Sequence, residues 1–205
     1  MEYIVVKDAD KIVNRSSYVV TNPTSYIGKW SSLFNNNNPL KIEIGMGRGD
    51  FIIEMAKKNP NINFIGIEIN SSQMVSAIRI LDKAKLNNLK LINMDAGDLD
   101  KVFKKEIDTI YLTFPEPWPK AHDEKRRLTH VNYLKLYDRV FRKLVSKRII
   151  NKKLSIDFSK ILYVYYMIIQ SEQMGEVMST SILKCCKLDS DQDVESMLVK
   201  AGIKR

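Results

Sequence analysis

Cysteine is nearly absent from this chain of 205 residues, which has only the adjacent pair Cys185 and Cys186. Neighbouring cysteines provide neither an ordinary disulfide framework nor the ligand spacing of a zinc site. Histidine is equally scarce, with only His122 and His130, so no metal partner is expected. Long apolar runs are missing too. The longest, residues 161–169, is about half the length that a membrane span needs. The first stretch of chain carries charges throughout and has no apolar segment of the signal-peptide type. Together these absences predict a cytoplasmic chain with no membrane partner. Internal repeats are lacking, and low complexity is confined to the asparagines at 35–38, a polar loop before Pro39. An apolar fraction of 44% is ordinary for a folded protein, and the length suits one domain.

Positive charge, by contrast, is in excess. The formal net charge is +9, and residues 120–153 alone hold twelve Lys/Arg against Asp123, Glu124 and Asp138. That segment therefore carries the whole net charge, and the rest of the chain sums to zero. A basic patch on an otherwise neutral body is the footprint of a polyanion-binding face; its competing reading is a solvated helix surface.

From Pro39 onward, strand-like and helix-like segments alternate. Strands are predicted over residues 40–44, 63–69, 89–93 and 107–113. Between them fall a helix over 50–58, stopped by Asn59-Pro60, and a helix capped by Ser72 and running to about residue 85. A short helix is predicted near 99–104, and a longer one over 131–144. Strict alternation argues for a doubly wound, mostly parallel α/β sheet, in which ligands bind beyond the carboxyl ends of the strands. Glu43 and a glycine cluster end the first strand, Glu68 ends the second, Asp95 follows the third, and Pro115-Glu116-Pro117 follows the fourth. Four such strand ends in a row make one rim.

The segment Glu43-Ile44-Gly45-Met46-Gly47-Arg48-Gly49 reads E-x-G-x-G-x-G between a strand and a helix. Glycines suit a tight turn that a ligand approaches closely. Glu68 lies about twenty residues on, where a carboxylate can accept hydrogen bonds from both ribose hydroxyls. Asp50 stands where the NAD fingerprint has its third glycine, which tells against NAD. The acid two residues before the first glycine suits a ligand with a cationic amino-acid end, as in S-adenosylmethionine. Asp95 is then placed to meet the adenine amino group, its alternative being a helix cap before Leu99.

Residues 113–128 read T-F-P-E-P-W-P-K-A-H-D-E-K-R-R-L. This resembles the signature of the bacterial tRNA (guanine-N(7)-)-methyltransferases, close to F-S-D-P-W-P-K-x-x-H-x-K-R-R-L. The resemblance takes in Asn22-Pro23, Tyr26, Gly28-Lys29-Trp30, the glycine motif and Gly66-Ile67-Glu68, and spans about residues 21–143. It implies a class I S-adenosylmethionine-dependent methyltransferase of Rossmann-like fold, acting on N(7) of a guanosine in tRNA as a monomer or homodimer. By resemblance, Glu43, Gly45, Gly47, Gly49, Glu68 and Asp95 hold the cofactor. Glu116 takes the family's acidic position before P-W-P, with both a cofactor-side and a catalytic role; Lys120 is the substrate-contacting lysine, and Lys125, Arg126 and Arg127 are the RNA-contacting stretch. Trp118 is a candidate for stacking on a base, with core packing as its alternative.

Departures from the family are clear. Glu116 replaces the usual aspartate and Pro115 a serine, while Ala121 stands where a base is common. From about residue 144 the family's glycine turn, its K-T-D-N strand and its T-x-Y-E segment are missing. Asp157 is a poor substitute for that acid, and Cys185-Cys186 and residues 189–205 match nothing in the family. The tail has either diverged or been translated out of frame, and the missing turn favours the second. One methyltransferase domain is expected, with an arm at 1–38, a core at 39–143 and that tail at 144–205. The competing function is a non-enzymatic RNA-binding remnant of the family. A small-molecule methyltransferase is disfavoured by the basic segment.

Overall fold

Short apolar segments rich in isoleucine and leucine form strands here because both faces of their sheet are covered. In the computed structural model, which describes residues 5–113, 115, 116, 118 and 120–142, four parallel strands make this sheet. They are β1 (Leu40–Ile44), β2 (Asn63–Glu68), β3 (Leu89–Asn93) and β4 (Thr109–Tyr111), in the order β3-β2-β1-β4. Register places Glu43 opposite Gly66 on one side and Tyr111 on the other, and Glu68 opposite Asn93. The described residues divide into two units, 5–113 with 139–142 in one and those between 115 and 138 in the other. The sheet belongs to the first.

The helices are α1 (Ala9–Arg15), α2 (Ser31–Phe34), α3 (Asp50–Lys58), α4 (Ser71–Ala84), α5 (Leu99–Val102) and α6 (Val131–Val140). On α3, Ile52, Ile53 and Ala56 are buried; on α4, Met74, Val75, Ala77, Ile78 and Leu81 are. These residues form one apolar cluster with Phe64, Leu89 and Leu91 of the sheet. Several boundaries differ from the sequence pattern, β2 ending at Glu68 and α5 at Val102 among them. The cap of α4 is Asn70, whose side chain accepts from the Gln73 amide at 3.2 Å, and not Ser72. Ser72 lies inside the first turn and its Oγ accepts from the Val6 N–H at 3.0 Å. β4 is shorter than predicted because the chain before it turns to another partner: Ile107 bridges Phe141, and the Glu106 and Ile107 amides donate to the Val140 carbonyl. That pairing also ends α6 at Val140 rather than at 144. Residues 143–205, with Asp157 and both cysteines, lie outside the described residues.

The predicted arm is built into the first unit. Trp30 is 1% exposed, its ring lies against Tyr26 and Phe103, and its indole N–H donates to the Val102 carbonyl at 2.8 Å. One carboxylate, Glu106, accepts from the amides of Gly28, Trp30 and Lys104. Further upstream, Leu91 donates to the Tyr18 carbonyl and accepts from the Val20 amide, so the arm covers the outer edge of β3. Covering an edge removes a template for unwanted strand pairing.

Candidate functional site

Parallel strands put the ends of β1 and β2 on one edge, and the chain leaving β1 turns there through three glycines. Gly45, Gly47 and Gly49 have φ of 71°, 55° and 77°, which side chains resist. Their demands differ. A Cβ on Gly47 would meet nothing within 4 Å, so this position leaves open space above the backbone. A Cβ on Gly49 would lie 3.0 Å from the Ala77 Cβ and 3.3 Å from Ile53 Cδ1. Gly49 thus lets α3 pack on α4. The close packing that the NAD pattern assigns to its third glycine falls here one residue earlier.

The turn is pinned from below. The Gly45 and Met46 amides both donate to the Ile67 carbonyl, at 2.9 and 3.1 Å, and the buried Met46 side chain lies over Gly66. A Cβ on Gly66 would fall on Met46 Sδ and come within 3.1 Å of Leu91 Cδ2. Gly66→Ala should therefore push Met46 out of place and destabilise the protein by about 1–3 kcal/mol. Urea unfolding would measure that loss, and a stability equal to the parent's would show that Met46 is not the anchor. Glycine spacing alone did not reveal this pair, because the contact crosses from one strand to the turn after another.

Glu43 lies on β1 and is 1% exposed. Its Oε1 accepts from the Thr113 hydroxyl, while Oε2 is buried with no hydrogen-bond partner. Burial pushes the carboxyl up from 4.5 to about 7; the Thr113 bond pulls it down, as does the Ile52 amide, which acts on the carboxyl without meeting hydrogen-bond geometry at Oε2, and the charges of Glu68 and Asp50 add to the rise. A buried acceptor without a donor is costly unless a ligand supplies one. Glu68 is held differently. Its Oε2 accepts from the Gly47 amide at 2.9 Å and its Oε1 from the Asn70 amide at 2.8 Å. The carboxylate so ties the glycine turn to the cap of α4 and keeps further lone pairs on both oxygens. Ile69, next in the chain, is 64% exposed, an apolar surface at the rim that sequence reasoning missed. The Met94 amide donates to the Glu68 carbonyl, which brings the turn carrying Asp95 alongside. Asp95 Oδ1 caps the 3-10 helix Ala96–Asp98 by accepting from the Gly97 amide at 2.6 Å. Asp95 is thus a cap, but of this 3-10 turn and not of α5, whose cap position is Asp98, and the carboxylate itself is exposed.

Glu116, Lys120 and the basic triplet belong to the second unit. Glu116 is exposed and follows the buried Pro115; Lys120 is exposed at the start of the 3-10 helix Ala121–Arg126. Lys125 and Arg126 are exposed, but Arg127 is only 8% exposed, and its Nε and Nη2 both donate to the Trp118 carbonyl, at 3.1 and 3.0 Å. The triplet is therefore not one uniform face. Arg126 pairs with Asp123, and in the first unit Arg139 pairs with Asp100 and Arg142 with Asp108. Three of the seven described Lys/Arg of the basic segment thus have a carboxylate partner. No group of His, Cys, Asp and Glu suited to a metal ion is found among the described residues, and none of their helices is long and apolar enough to cross a membrane.

A parallel sheet of this order, with a glycine turn after β1 and a carboxylate at the end of β2, is Rossmann-like, an arrangement that class I methyltransferases share with dinucleotide-binding proteins. The chain belongs to the putative methyltransferase family, which it matches over residues 37–146. It is 51% identical over 132 residues to a tRNA (guanine-N(7)-)-methyltransferase of Geobacillus sp. (strain WCH70), covering 64% of this chain and 60% of that one. The protein of the same name from Bacillus subtilis (strain 168) is 44% identical over 135 residues, covering 65% and 63%. The matched part of this chain spans about three-fifths of the length of these relatives. Among solved structures, an antibiotic-related methyltransferase has a TM-score of 0.46 at 19% identity, covering 57% of this chain and 59% of that one.

Proposed function

We propose that this chain transfers the methyl group of S-adenosylmethionine to N(7) of a guanosine in tRNA. The observation that carries this is the identity of about half over the sheet and the P-W-P-K…K-R-R-L loop with relatives that bear that activity in their name.

The rim fits the cofactor on physical grounds. Glu43 Oε2 is a buried acceptor that an ammonium group would satisfy. Glu68 offers lone pairs to ribose hydroxyls, Ile69 an apolar surface to a planar ring, and Gly47 the space for a backbone-hugging ligand. Asp95 caps its turn with Oδ1 and presents its other oxygen to the adenine amino group. When bound, S-adenosylmethionine supplies an electrophilic methyl on a sulfonium leaving group. Guanine N(7) carries an exposed lone pair, so no base must first remove a proton, and the protein's task is alignment. Glu116 accepts hydrogen bonds from the guanine's Watson–Crick edge, which selects guanine and offsets the positive charge that develops on the purine. Lys120 contacts the substrate, and Lys125 and Arg126 meet phosphates. Arg127 holds the loop that presents them.

The decisive assay is transfer of labelled methyl to unmodified tRNA, followed by borohydride and aniline, which cleave RNA at N(7)-methylguanosine. Cleavage at one guanosine, lost in Glu116→Ala, is expected. Because K-T-D-N and T-x-Y-E are missing, transfer should run at least about tenfold below that of a chain carrying the family's tail, while both ligands still bind. Transfer at full rate would show that the tail is dispensable. Binding of both ligands with no transfer would favour the non-enzymatic RNA-binding reading.

A further inference from the structure

Trp118 is the only non-glycine residue with positive φ among the described residues of the second unit, at 43°. A bulky residue holds that conformation only where its surroundings impose it, and such strain gathers at functional positions. Here Arg127, which is buried, grips the Trp118 carbonyl through two N–H groups and holds the backbone at this residue. Behind it the Tyr137 hydroxyl donates to the Leu128 carbonyl at 2.9 Å, which anchors the chain that follows Arg127. The loop thus fixes the backbone that carries the indole.

Arg126 lies on that indole, its guanidinium carbon 3.7 Å from the ring centroid. Its side chain is 60% exposed and Trp118 is half-buried, so the stacked pair lies at the surface. Its ion pair with Asp123 is long, at 3.3 Å. A guanidinium and a nucleobase are both planar and use the same face of an indole, but a guanidinium binds phosphate more strongly. We propose that Trp118 is a nucleobase-stacking platform on which Arg126 keeps the place of the base. When RNA binds, Arg126 moves to a phosphate and an unstacked base takes its position. This rests on the reading that tRNA is the substrate.

The chain has two tryptophans, and Trp30 is buried, so its emission is a constant background. The emission lost in Trp118→Phe isolates Trp118. Titration of the full chain with an unmodified tRNA transcript should quench that component at least about twofold, as stacking requires. Trp118→Leu should weaken tRNA binding about tenfold with an unchanged salt slope, whereas Trp118→Phe, which keeps an aromatic face, should stay within about threefold. Arg126→Gln should alter Trp118 emission in the free protein and lower the magnitude of the salt slope by about one. Bound tRNA that leaves Trp118 emission unchanged overturns the platform, as does wild-type binding by Trp118→Leu. If Trp118→Leu does not fold, the emission titration of the unsubstituted chain decides. No tRNA binding by that chain even at low salt overturns the substrate reading itself, and the platform with it.

Discussion

Replacing Glu43 by glutamine is expected to weaken S-adenosylmethionine binding at pH 8 by about 30-fold or more, since a buried carboxylate facing a cation is among the costlier partners to lose. The same change should stabilise the free protein in alkali. The folded carboxyl holds its proton up to about pH 7, whereas the unfolded one releases it near 4.5. Between those values the folded state binds more protons, so stability falls as pH rises, by about 3 kcal/mol in all, and the loss is complete above pH 7. Glu43→Gln lacks that slope. Cofactor binding by the parent should tighten about tenfold from pH 6 to pH 8 as the fraction of ionised Glu43 grows, and binding by the variant should stay flat. Calorimetry at the two pH values, with urea unfolding alongside, measures all three effects. Equal affinity in parent and variant would remove Glu43 from the cofactor site. Because the Thr113 hydroxyl favours the ionised form, Thr113 acts on Glu43 as a positioning residue.

The second large effect lies far from the rim. Trp30→Ala removes a fully buried indole between Tyr26 and Phe103 and leaves the Val102 carbonyl without its donor. A loss of about 4 kcal/mol is expected, a large part of the 5–15 kcal/mol that holds a typical domain together. A loss below about 1 kcal/mol in urea unfolding would mean that the arm is not part of the core. Cofactor affinity of the folded fraction should be unaffected, because Trp30 anchors the arm to the segment before β4 and takes no part in the glycine turn.

Local signals in the sequence settled the elements whose causes are local. Residues 40–44, 50–58 and 89–93 appear with the predicted bounds because apolar periodicity, the Asn59-Pro60 stop and the glycine run all act within a few residues. The placement of the glycine turn, Glu43 and Glu68 at adjacent strand ends was legible for the same reason, since it follows from short, contiguous motifs. Where a boundary depended on a distant partner, the pattern erred. Ser72 looks like a cap until Val6 claims its hydroxyl, and residues 107 and 108 look like strand until the chain after α6 pairs beside Ile107.

Site residues divide along the same line. Sequence alone determined the parallel α/β class, the family resemblance, the carboxylates at the strand ends and the concentration of positive charge after residue 120. Tertiary structure alone decided that Glu43 keeps one oxygen without a donor, that Thr113 holds the other, and that Met46 pins the turn through Gly66. It also decided that three adjacent cations differ, with Lys125 exposed, Arg126 on an indole and Arg127 buried on a carbonyl. The physical reason is that residue type and spacing set what a side chain can do, whereas burial and hydrogen-bond partners set what it does, and those come from segments far apart in the chain.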